Sequence, residues 1–119
     1  MKRITTIIAL AVAAAAHAQP IVSKDGSKWT SLPATARAYN DGLHGKLQHD
    51  MQFVFEDAKK PGTTQRQGWG VTGCAAGFGD MGQVSNDIML DATLWANDGP
   101  AISDGIAMQV CRAAAAKTL

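Results

Sequence analysis

Little in this 119-residue chain is present in excess. Eleven basic residues stand against ten acidic ones, so neither sign dominates. Phosphate neutralisation needs a concentrated basic face, which makes nucleic acid an unexpected partner. Electrostatic attachment to anionic lipid is unexpected for the same reason. The N-terminal apolar run Ile4–Ala16 is thirteen residues long, short of the roughly 20 that cross a bilayer. The twelve glycines contain no Gly-Lys-Ser/Thr phosphate loop and no dinucleotide fingerprint. None of Ser23, Ser27, Ser31, Ser85 and Ser103 sits in a Gly-x-Ser-x-Gly context. No cofactor is implied.

What is present begins with an address. Lys2 and Arg3 precede the apolar run, and Ala16-His17-Ala18 is a small-x-small cleavage signal. Together they predict a signal peptide over residues 1–18, cut before Gln19. No cysteine lies beside the cut, so lipid attachment there is not indicated, and His17 leaves with the removed segment. The remaining 101 residues form one domain, residues 19–119, with a modest core. Without Lys2 and Arg3 it carries nine basic and ten acidic residues, a net charge of −1. The predicted location is periplasmic or secreted.

The two cysteines, Cys74 and Cys111, meet an oxidising compartment on that reading, and an even count there points to a disulfide. The competing reading is a catalytic thiol served by His44 or His49.

Along the domain, Pro33 disfavours a helix through Leu32, and residues 36–40 read as a short strand ending at Asp41-Gly42. Residues 47–56 alternate: Leu47, His49, Met51, Phe53 and Phe55 on one face, Gln48, Asp50, Gln52, Val54 and Glu56 on the other. That is a half-solvated antiparallel strand. Pro61-Gly62 supplies a turn. "GWGVTGCAAGFGDMG" reads as a strand carrying Cys74, with Gly79–Gly82 as a turn behind it. Glycine inside a strand permits close approach of another element, here the docked helix. Residues 86–95 are a further strand, with Ile88, Leu90, Ala92 and Leu94 as its apolar face. From Ser103, the stripe Ile102, Ile106, Val110 and Ala114, flanked by Ala107 and Cys111, has helical period; Asp98 is the candidate cap.

Strands followed by one helix predict an α+β fold, an antiparallel sheet of about four to six strands with the helix on one face. A Cys74–Cys111 bond would pin helix to sheet and contribute roughly 3–4 kcal/mol through loop closure.

The cysteine closing "GWGVTGC", the acid-and-tryptophan segment "LDATLWANDGP" and the second cysteine in "ISDGIAMQVC" together resemble the surface-adhesin protein E family of small exported bacterial proteins. "SKWTSLPATARAYND" is similar to that family's N-terminal tryptophan and following strand. The resemblance implies a bent antiparallel sheet with a disulfide-joined C-terminal helix. It further implies an extracytoplasmic binding or structural module. Only the cysteine pair carries over as site residues.

Other chemistry is thin. His44, His49 and Asp50 suggest metal ligands, but the two histidines face opposite sides of a strand, and metal sites want three or four ligands; no metal is expected. Glu56-Asp57 and Asp87 with Asp91 read as solvated carboxylates. Trp29, Trp69 and Trp95 are the candidate binding anchors, with core packing as the plainer reading. The expected function is a non-catalytic envelope module that binds a protein or other envelope component. The alternative is a small secreted hydrolase using His44 or His49.

Overall fold

The alternation around Met51 and Phe53 builds the centre of the structure. In the computed structural model, which describes residues 20–40 and 45–117, six strands pair in sequence order into one antiparallel sheet. They are β1 (Ile21–Val22), β2 (Lys28–Asn40), β3 (Leu47–Glu56), β4 (Thr64–Val71), β5 (Phe78–Ser85) and β6 (Ile88–Ala96). One helix, α1 (Ile102–Lys117), follows and packs on the sheet. The signal peptide and His44 lie outside the described residues.

The face under α1 is the core. Met51, Phe53, Val71, Met81 and Trp95 meet Ile106, Ala107, Val110 and Ala113, with Ala36 beside them. The disulfide joins Cys74 to Cys111, with Cα atoms 5.4 Å apart across 37 residues of chain. The helix begins at Ile102, and its N-terminus is closed not by Asp98 but by Asp104. That carboxylate accepts from the amides of Ala101 (3.0 Å) and Ala96 (2.9 Å). It ties the first turn to the end of β6 and suits the positive end of the helix dipole.

Several sequence expectations are corrected by sheet geometry. β2 is thirteen residues long and runs through Pro33. The ladder to β3 breaks between Leu32 and Arg37, so the proline sits where no amide is needed. Thr35 patches the gap: its hydroxyl donates to the Leu32 carbonyl (2.7 Å) and accepts from the Gln52 amide (2.8 Å). Cys74 is not on a strand. It lies in the turn between β4 and β5, where Gly73 has φ +87° and an added Cβ would fall 2.0 Å from the Phe78 carbonyl oxygen. Gly79–Gly82 is not a turn but part of β5.

The β4 glycines face away from the helix. A Cβ on Gly70 would stand 2.6 Å from Val84 Cγ2 and 2.8 Å from Gln48 Nε2. The element that approaches closely is therefore the far half of the β5–β6 hairpin, which folds over the second face of the sheet. This overturns the solvated reading of that face of β3, because Gln48 and Asp50 are both buried.

Candidate functional site

The β5–β6 hairpin carries Phe78, Ile88, Leu90 and Leu94, four of the exposed large apolar side chains among the described residues; Val22 and Leu47 are exposed elsewhere. β6 is an edge strand, and it carries a bulge. Gly82 of β5 lies between the pairs Met81↔Thr93 and Gln83↔Leu90, opposite both Asp91 and Ala92, and Asp91 has φ +51°. An inserted residue shifts the side-chain alternation by one. The expected apolar face of β6 is thereby split: Trp95 turns into the core at 3% exposure, while Leu94 stands 77% exposed. Phe78, paired with Ala96 two positions along the ladder from the Asp80–Leu94 pair, is 64% exposed. Phe78 and Leu94 are thus diagonal neighbours on one face. Ile88 and Leu90, beyond the bulge, are exposed as well, but on the opposite face of the hairpin, since Leu90 pairs with Gln83.

Three devices hold this hairpin. The disulfide anchors its base. Its tip, Ser85–Ile88, turns through Asn86 and Asp87, both at positive φ (53° and 65°), the geometry that two-residue hairpin turns require. The third is a clasp centred on Arg37. Its guanidinium donates from Nε and Nη2 to the two Asp50 oxygens (2.9 and 3.1 Å) and from Nη2 to Asp87 at the hairpin tip. It also lies 4.5 Å from the centre of the Tyr39 ring. Tyr39 donates to the Asp87 carbonyl (3.3 Å) and accepts from Gln48 Nε2 (2.5 Å). The hydrogen bonds of Asp50 and then Asp87 hold the Arg37 pKa above its ordinary value. Burial, followed by the charge of Asp50, pushes the Tyr39 hydroxyl up to about 12. Nothing in the sequence pattern announces this clasp. Arg37 and Asp87 are 50 residues apart, and only the fold-over brings them together.

The residues singled out from sequence are dispersed. Trp95 is core, its indole N–H donating to the Thr72 carbonyl (2.9 Å). Trp29 and Trp69 are half-buried and both donate to Oε1 of Gln67, each at 3.1 Å. His49 is on the helix side, in a cleft of about 230 Å³ with Ala36, Arg37, Ala38, Ala114 and Lys117. Asp50 points to the opposite face and is engaged by Arg37, so His49 and Asp50 do not form a proton relay. Cys74 and Cys111 are joined, so neither offers a free thiol. Among the described residues no three His, Cys, Asp or Glu groups cluster as metal ligands, and no helix is long and apolar enough to cross a membrane. No family model, curated protein or solved structure matches the chain.

Proposed function

We propose that the chain is a small exported bacterial protein that works in the cell envelope by binding a protein partner, in an adhesin-like manner, through the β5–β6 hairpin. The observation that carries this reading is the exposed apolar pair Phe78 and Leu94 on one face of a braced edge hairpin, with Leu90 and Ile88 exposed on its other face. Exposed apolar clusters on a small domain commonly mark contact surfaces, and an edge strand adds main-chain groups free to pair. Export is supported by the disulfide, since such bonds persist in oxidising compartments. The signal-like N-terminus and the resemblance to protein E-type adhesins support the same placement.

The experiment is retention from envelope extract on the immobilised mature protein, with Phe78→Ser/Leu94→Asp as the matched variant. Stoichiometric retention of one protein by the wild type and its loss in the variant are expected. Equal retention by both would remove the hairpin from the account. Export is checked separately. The N-terminus of protein recovered from an expressing Gram-negative cell should read Gln19, in the periplasmic or secreted fraction. A cytoplasmic chain beginning at Met1 would overturn the envelope assignment.

A further inference from the structure

The connection between β3 and β4 forms a second surface feature, separate from the hairpin. Phe55, Asp57, Lys60, Thr63, Thr64 and Gln65 line a depression of about 150 Å³. Ligand sites for drug-sized molecules run roughly 300–1,000 Å³, so this one suits a single small ring. Its floor is fixed. The Phe55 ring packs against Trp29 with centroids 4.9 Å apart and planes tilted by 39°, and Trp29 is held in turn by Gln67. The loop is also fixed: the Lys60 amide donates to the Asp57 carbonyl (2.9 Å), the Thr63 amide to the Lys60 carbonyl (3.1 Å), and the Gly62 amide to Glu56 Oε2 (2.7 Å).

The polar groups around this ring are left free. Among the described residues the side chains of Lys60, Thr63, Thr64 and Gln65 make no hydrogen bond or ion pair. Asp57 uses one oxygen, Oδ1, for the Lys59 amide (2.9 Å). One carboxylate and one ammonium cancel, which disfavours an anion or a cation as ligand. The Thr63 hydroxyl and the Gln65 amide, the latter paired directly across from Phe55, each donate and accept, which matches a ligand whose own groups do both. The aromatic wall takes an apolar C–H face against its negative π-surface. A neutral ring with adjacent hydroxyl groups on its edge and C–H bonds on its face meets all of these conditions.

We infer that this depression is a binding subsite for one neutral sugar ring of a glycan. It is independent of the hairpin surface, so either can fail alone. Lone hydrogen bonds contribute about 0.5–1.5 kcal/mol, so a single ring held this way binds weakly and a longer glycan would reach further contacts.

The test titrates the mature, disulfide-bonded protein with the methyl glycosides of glucose, galactose and N-acetylglucosamine, followed by amide chemical shifts and tryptophan fluorescence. A saturable response to at least one glycoside is expected, confined to residues 55–65 and the Trp29 indole. Inorganic phosphate and tetramethylammonium should give none. Gln65→Ala and Thr63→Val, both at exposed positions, should each weaken the response about three- to tenfold, with Leu94→Asp unchanged. Failure of all three glycosides to saturate would overturn the inference. So would an equal response to phosphate or tetramethylammonium, or variants that bind as tightly as wild type.

Discussion

Under α1, Met51, Phe53, Val71 and Met81 are almost wholly removed from water, whereas on the β5–β6 hairpin Phe78 and Leu94 stand mostly in it. Both regions belong to one sheet and use the same residue types. They differ in what covers them. The helix is held over the first by its apolar stripe, by Asp104 and by the disulfide. Nothing among the described residues covers the second, although the hairpin is braced by the Arg37 clasp and by close contact with Gly70. Stability therefore resides mainly on the helix side. The exposed hairpin side chains contribute little to it, which leaves them open to a contact role.

The sharpest way to break that contrast lies in two adjacent residues. Trp95→Ala removes a buried indole and should cost about 3–5 kcal/mol, read from chemical denaturation. A loss under 1 kcal/mol would deny that β6 is anchored through Trp95. Next in size is the staple. Cys111→Ser should cost about 2–5 kcal/mol, and α1 should lose amide protection before β3 does. A variant that melts with wild type would mean that packing alone holds the helix.

Smaller effects sharpen the picture on the second face. Gly70→Ala places a Cβ where Val84 and Gln48 already stand, and overpacking of this kind costs about 1–3 kcal/mol. A neutral Gly70→Ala would mean that the hairpin does not fold over β4. Tyr39 gives a pH signature. Its pKa is raised in the folded protein, by burial first and by Asp50 second, so its contribution is fully present below the unfolded value near 10. The unfolded chain then ionises first, and stability falls as pH rises from about 10 through the folded value of about 12. Tyr39→Phe should flatten that fall. An unchanged profile would show that Tyr39 is not enclosed. Smallest of all, Leu94→Ser should alter stability by no more than about 0.5 kcal/mol, as surface substitutions do; a larger loss would place Leu94 in a packed site.

The elements that sequence disclosed were those whose periodicity is local. Leu47–Glu56 alternates cleanly, and Ile102, Ile106 and Val110 repeat at four, so β3 and α1 were readable as strand and helix. Cys74 and Cys111 were readable as a pair because two cysteines have one partner each. What sequence concealed depends on distant chain. Residues 86–95 alternate well enough to hide the bulge at Asp91, and one extra residue there exchanges Leu94 and Trp95 between water and core. Gln48 and Asp50 look solvated until the hairpin, nearly 40 residues later, folds over them. The Asp104 cap was hidden behind the more usual-looking Asp98. Pro33 masked the first half of β2 because the bulge that accommodates it has no sequence signature of its own.

The most direct test of the central claim, that the uncovered hairpin is a contact surface and not part of the stabilising core, pairs two readings on one variant. Phe78→Ser/Leu94→Asp is compared with wild type for its denaturation midpoint and for retention of protein from envelope extract. An unchanged midpoint with loss of the retained partner is expected. A lowered midpoint, or a partner retained as before, would contradict it.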